Sequence, residues 1–263
     1  MPTPKKKVQT SWDNVAEWYD ETVESKGSYQ QDLILPNLLR LMDIKKDERV
    51  LDLACGQGLF ARAFHAAGAK VVAADISKEL VGIAVKKSPK EIAYHVAPSD
   101  TLPFLKDGSM DKVAIVLALQ NIENFRETIA ECARVLTKDG KLYIVLNHPA
   151  FRIPKASSWE FDEKKNAQYR RVDRYLSELR TDIDMTPGGK KTTMTISFHR
   201  PLQLYFKAFA KSGFAVSRLE EWISGKKSQE GPRGIAEDFA RKEIPLFLTL
   251  VAKKSGDAAS TVE

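Results

Sequence analysis

Between residues 49 and 147, short apolar runs alternate with segments whose apolar residues recur at helical spacing. The runs 49–54, 70–74, 92–97, 112–119 and 141–146 read as strands. The fourth is apolar almost throughout, as a strand covered on both faces requires. Segments 59–67, 77–87 and 123–136 read as helices. The first stops at Gly68, the second takes Ser77 as its N-cap, and the third carries Phe125, Ile129, Ala133 and Leu136 on one stripe. Asp139-Gly140 reads as a turn. Two more helices, 12–24 and 30–42, precede the alternation. After Asn147 the rhythm breaks. Residues 148–191 are polar and charged, with Phe151, Trp159, Phe161, Tyr169 and Tyr175 set among them. Strands are expected again at 192–198, 214–219 and 245–252, with a helix at 202–211 and a loop at 223–234.

Strands and helices in this order predict a doubly wound α/β fold: a seven-stranded, mostly parallel sheet with helices on both faces and an inserted cap segment after the fifth strand. The organisation that follows is 1–47 for N-terminal helices and a ligand lid, 48–147 for the core, 148–191 for the insertion, 192–253 for the rest of the sheet and 254–263 for a frayed tail.

Composition narrows the classes. Hydrophobic residues make up 43% of the 263, enough for a real core. No apolar run is long enough for a membrane span, and residues 1–10 lack the apolar stretch of a secretory signal. Cys55 and Cys132 belong to no metal-type cluster, so a reducing cytoplasm and no metal are expected. The net charge of +6 is scattered over Lys5-Lys6-Lys7, Lys86-Lys87, Arg170-Arg171, Lys190-Lys191 and Lys226-Lys227. This reads as solvated surface before it reads as a nucleic-acid footprint.

The segment Val50-Leu-Asp-Leu-Ala-Cys-Gly-Gln-Gly58 carries the chemistry. Gly56 and Gly58 follow the first strand, where an open parallel sheet binds ligands. The spacing Gly56-x-Gly58-x-x-Ala61 also fits a dinucleotide fingerprint. Asp52 argues against that ligand, because a carboxylate before the glycines repels a pyrophosphate and favours the ammonium and sulfonium of S-adenosylmethionine (SAM). Asp75, at the end of the second strand, is placed to accept ribose hydroxyls, or else to cap the following helix. Asp100, after the third strand, is placed to accept from an adenine amino group, or else is a turn residue.

Residues 51–58, Asp75, 99–104 and 134–140 resemble the class I SAM-dependent methyltransferases, in the small-molecule group that includes quinone-biosynthesis C-methyltransferases. The resemblance covers about residues 48–147 and implies a Rossmann-like core. It implies that Asp52, Gly56 and Gly58 surround the methionine part, that Asp75 holds the ribose, and that Ser99 with Asp100 flanks the adenine. Ala54, Ile76, Thr101, Leu119 and Gln120 complete the expected donor-binding set. Residues 12–19 are similar to the family's leading helix, with Tyr19 and then Trp12 as lid candidates and a plain amphipathic helix as the alternative. Tyr29-Gln30-Gln31 looks like a further donor-side segment.

The acceptor is less legible. A nucleobase amino methyltransferase would place an Asn-Pro-Pro-aromatic segment at the fourth strand's end, where this chain has Leu119-Gln-Asn-Ile-Glu123. His148 and His199 are the candidate general bases, or else structural residues. Asn147, His148, Arg152, Trp159 and Tyr169 are the candidate acceptor contacts. With Arg170 and Arg171 they combine flat apolar surface and guanidinium, which suits an aromatic or carboxylate-bearing small molecule. The leading expectation is methyl transfer to O, N or C of a small molecule. An RNA methyltransferase and a non-catalytic SAM- or NAD-binding protein are the alternatives.

Overall fold

A computed structural model describes residues 12–13, 16, 20, 23–25, 27–185 and 192–255. The parts of the 12–24 helix, the 1–10 and 254–263 tails and the insertion that fall on other residues, Tyr19 among them, lie outside this set. A π-helical turn, Gln30–Ile34, leads into α1, Leu35–Met42. Then follow β1 Arg49–Leu53, α2 Leu59–Ala66, β2 Lys70–Asp75, α3 Lys78–Lys87, β3 Ala93–Val96, β4 Met110–Val116, α4 Phe125–Val135 and β5 Leu136–Asn147. The second half contains β6 Ser157–Asp162, β7 Ala167–Val172, β8 Leu179–Asp184, β9 Met194–His199, α5 Leu202–Lys211, β10 Phe214–Trp222, α6 Gly234–Glu243 and β11 Phe247–Lys254.

Seven strands form the main sheet in the order β10-β11-β5-β4-β1-β2-β3. Pairs among the first five strands in sequence are parallel, whereas β11 runs antiparallel to both β5 and β10. Strand periodicity splits the core in two. Leu51, Leu53, Val113, Ile115, Leu142 and Ile144 pack with Phe125, Ile129 and Cys132 of α4 and Phe209 of α5. The alternate positions Val50, Ala114, Val116, Tyr143 and Val145 pack with Leu38 of α1 and Phe60 and Phe64 of α2 on the other face. Helices therefore cover both faces, and the winding direction reverses between β1 and β4.

The structure differs from the sequence reading in four places. There is no turn at Asp139-Gly140: β5 runs on from α4, and a register shift between Met110 and Lys112 of β4 absorbs the extra length. The fourth strand stops at Val116, because Leu117 takes a left-handed φ of 53° and the chain turns into a 3-10 helix, Leu119–Asn121. The insertion is not irregular: β6 pairs with β7, and β8 pairs with β9, each antiparallel in its own two-stranded sheet. The strand expected at 192–198 is thus β9, outside the main sheet, and the sheet resumes only at β10. Helix α6 occupies the region after the 223–234 loop and exposes Ile235 and Phe239.

Candidate active site

Where the winding reverses, the carboxyl ends of β1 and β4 diverge and leave a crevice, the usual place for a ligand in an open α/β sheet. A cavity of about 270 Å³ occupies it. Its wall takes Ala54 and Gly56 from after β1, Asp75 and Ile76 from the end of β2, and Pro98, Ser99 and Asp100 from after β3. Leu117, Asn121, Ile122, Glu123 and Asn124 follow β4, and Trp12 reaches it from the N-terminal segment. Asp75, Asp100 and Glu123 are its carboxylates, and no Arg, Lys or His is among the described residues lining it.

Local conformation shapes this wall. Ala54 (φ 58°) and Leu117 (φ 53°) both sit in the left-handed region, which costs a side-chain-bearing residue about 1 kcal/mol or more, and both border the cavity. Gly58 has φ 83°, and a Cβ there would collide with the Tyr94 hydroxyl and meet Ala84 Cβ at 3.1 Å. Gly58 thus serves the turn and does not line the cavity. The Gly56 N–H donates to Asp75 Oδ2 at 2.9 Å, and the Ser77 N–H to Asp75 Oδ1 at 2.8 Å. Each carboxylate oxygen keeps a further lone pair for a ligand. Burial pushes the Asp75 carboxyl above its usual range, with the Ser77 and Gly56 amides opposing that push. Ser77 caps α3 as expected, accepting from the Leu80 N–H at 3.2 Å, while its hydroxyl donates to Asp13 at 2.6 Å beside Trp12.

Two arginines hold the rest of the wall. Arg134 of α4 bonds the Leu102 and Leu105 carbonyls, each at 3.0 Å, and pairs with Glu131 and Asp107. This fixes the loop that begins with Pro98–Asp100. Asp100 Oδ2 accepts from Asn124 at 2.9 Å, and the Ser99 and Thr128 hydroxyls lie 2.9 Å apart. Arg200, just after β9, donates to the carbonyls of Leu119, Ile122 and Glu123 at 3.3, 2.8 and 3.0 Å, with its guanidinium over the rings of Phe125 and Phe198. Nothing in its sequence setting marked Arg200, because its partners are carbonyls distant in the chain.

A second cavity of about 490 Å³ adjoins the first, sharing Trp12, Leu117 and Asn121. Tyr29, Gln30, Gln120, Asn147, Arg152, Lys155, Arg170, Met185 and Phe247 line it with others, and none of its described lining residues is acidic. Tyr29 and Gln30 therefore border this cavity and not the first. Gln120, expected on the donor, lines the second cavity as well. Its Nε2 donates to the Leu117 carbonyl at 2.7 Å and its buried Oε1 is unpaired.

Several expected site residues lie elsewhere. Asp52 shares the Val50 face of β1 and is buried beneath α2, off the cavity wall, with Oδ2 unpaired. Burial raises its pKa to about 7, and the Ala61 backbone N–H opposes the rise. Leu119 is fully buried core, and Thr101 points to solvent. His148 is buried: Nε2 meets Glu221 Oε1 at 2.8 Å, and Nδ1 accepts the Ala150 N–H at 3.2 Å. That arrangement leaves no ring lone pair for an acceptor's proton. His199 Nε2 donates to the Tyr175 carbonyl at 2.7 Å, and neither histidine lines either of these two cavities. Trp159 stacks on Arg170 from the neighbouring strand, 5.3 Å from guanidinium to ring centre, and does not reach the cavity. Tyr169 alternates with Arg170 and points outward. Both cysteines are buried, and burial pushes their thiols up, away from nucleophilic use. No metal-type cluster of His, Cys, Asp or Glu occurs, and no helix is long and apolar enough to cross a membrane, among the described residues.

Residues 51–144 match the family model described as a methyltransferase domain. The chain is 32% identical over 143 residues to a demethylmenaquinone methyltransferase of Paenarthrobacter aurescens, covering 54% of this chain and 56% of that protein. It is 29% identical over 134 residues to a ubiquinone biosynthesis O-methyltransferase of Aromatoleum aromaticum, covering 48% and 55%. The chain thus spans about half the length of these curated relatives. A crystal structure of an S-adenosylmethionine-dependent methyltransferase from Mesorhizobium loti aligns with a TM-score of 0.66 at 27% identity, over 83% of this chain and 96% of that one. The sheet and its glycine turn therefore form a class I, SAM-dependent methyltransferase domain.

Proposed function

We propose that the chain transfers a methyl group from SAM to a small-molecule acceptor held in the second cavity. One observation carries this reading: the first cavity presents Asp75, Asp100 and Glu123, with no cationic side chain among its described lining residues. Such a wall repels a pyrophosphate and stabilises an ammonium and a sulfonium. When bound, SAM supplies a methyl carbon made electrophilic by its positively charged sulfur. Asp75 accepts the ribose hydroxyls with its remaining lone pairs, and Asp100 accepts from the adenine amino group. Ile76 and Ile122 give the base its apolar walls. Trp12, Leu117 and Asn121, common to both cavities, align donor and acceptor across their boundary. The β6–β7 and β8–β9 hairpins serve as the acceptor cap. The relatives' names concern menaquinone and ubiquinone, but the family match ends at residue 144, before Asn147, Arg152 and Arg170.

The test is incubation with methyl-labelled SAM and fractionated cell extract, with and without nuclease. Label in low-molecular-mass products is expected. Label confined to a nuclease-sensitive polymer contradicts the proposal.

A further inference from the structure

Guanidinium groups carry a permanent charge, and removing one from water is costly unless an anion answers it. This chain mostly respects that rule: Arg49 pairs with Asp111, Arg62 with Glu24, and Arg134 with Glu131 and Asp107. Arg200 departs from it by spending its donors on three backbone carbonyls, whereas Arg152 and Arg170 depart from it on a cavity wall. Both are part-buried, both line the second cavity, and neither forms an ion pair with a carboxylate among the described residues. Arg152 donates to Asn147 Oδ1 at 2.7 Å. Arg170 donates to the Phe151 carbonyl at 2.7 Å and to Ser157 Oγ at 2.8 Å. These acceptors are neutral, and they leave N–H donors on each guanidinium unspent.

The surroundings hold the two groups without neutralising them. Arg170 lies over Trp159 at 5.3 Å and Arg152 over Phe247 at 5.6 Å. Ring faces orient a guanidinium plane but bring no full negative charge. Burial lowers the pKa of both arginines, and the charge of Arg170 adds to the effect on Arg152. The two cations therefore sense one another across the same wall. Lys155 adds a third positive group, and the described lining includes no Asp or Glu. Ile153, Ile183, Met185 and Phe247 make up an apolar part of the wall, beside the neutral polar groups of Gln30, Gln120, Thr195 and Ser197.

We infer that the methyl acceptor bears an oxyanion group, a carboxylate or a phosphoryl, engaged jointly by Arg152 and Arg170 while its carbon skeleton lies on the apolar wall. This deepens the methyltransferase reading and rests on it. The two cavities then sort charge in opposite senses: carboxylates face the cationic donor and guanidiniums face the anionic acceptor. The planar fork of arginine suits either oxyanion by paired hydrogen bonds.

The test uses protein saturated with S-adenosylhomocysteine and three matched probes: 4-hydroxybenzoate, phenyl phosphate and 4-hydroxybenzamide. Binding is read by ligand-observed NMR and calorimetry. At least one anion is expected to bind about tenfold or more tighter than the neutral amide, and the better of the two assigns the oxyanion. The Arg152→Gln/Arg170→Gln variant is expected to lose that preference while keeping its S-adenosylhomocysteine affinity. Each single variant is expected to lose part of it, which serves if the double variant does not fold. Equal binding of amide and anions by the unaltered protein, no measurable anion binding, or an undiminished preference in the folded variants overturns the inference and leaves the methyltransferase reading standing. Failure of the unaltered protein to bind S-adenosylhomocysteine removes that reading, and the inference with it.

Discussion

Replacing Asp75 by Asn separates the charge of this residue from its shape. The residue is only 7% exposed, and its carboxylate already accepts two backbone N–H groups, from Gly56 at 2.9 Å and Ser77 at 2.8 Å. Asparagine keeps one acceptor oxygen and turns an NH₂ toward one of those amides. The second lone pair that a vicinal ribose diol needs is lost with it. A hydrogen bond to a charged group contributes about 1.5–3 kcal/mol, so losing one loosens the donor by about 10- to 150-fold. Stability changes less, because the variant no longer buries a charge whose pKa burial has raised. Calorimetric titration with S-adenosylhomocysteine measures the loss, and thermal unfolding checks that the variant is folded. A folded Asp75→Asn protein that binds within about threefold of the unaltered one refutes the assignment of ribose binding to Asp75.

Asp52→Asn tests the buried carboxylate beneath α2. A carboxyl raised from 3.8 to about 7 by folding makes the protein lose stability as pH rises through that interval. The ligand-free variant is therefore expected to lack a decline of a few kcal/mol between pH 4 and 7, and parallel denaturation profiles contradict the burial argument. Arg200→Met strips hydrogen bonds from the Leu119, Ile122 and Glu123 carbonyls, so unfolding experiments should show about 2–4 kcal/mol lost and titration a weaker donor. Unchanged donor affinity would show that the loop keeps its shape without Arg200. His148→Ala is expected to cost about 1–3 kcal/mol of stability while methyl transfer proceeds at nearly the unaltered rate. Burial lowers the His148 pKa, so the unaltered protein loses stability as pH falls through the ordinary histidine range, and the variant should lose less. A large drop in turnover with stability intact would return His148 to the reaction.

The five parallel strands were legible because a strand buried on both faces must be apolar and its partner helices must show helical spacing. The position of Asp75 followed from the same logic, since strand ends in such a sheet border the crevice. Asp52 was placed too close to the ligand. Counting alternate positions from Val50 would have assigned it to the α2 face, as the structure does. The β6, β7 and β8 strands escaped notice because neither face of these three strands is deeply buried, so no apolar alternation marks them. Helix α6 was hidden for a related reason: its large apolar residues Ile235 and Phe239 are exposed. The histidines looked available at strand ends, yet whether a ring lone pair is free depends on Glu221, Ala150 and Tyr175, whose contacts only the folded chain creates.

The central claim is that a wall of carboxylates at the winding reversal selects a cationic, phosphate-free nucleoside. Competitive calorimetry with SAM and NAD tests it directly. Saturable binding of SAM, undisturbed by NAD in large excess, is the predicted result. Tight NAD binding with no heat from SAM contradicts it.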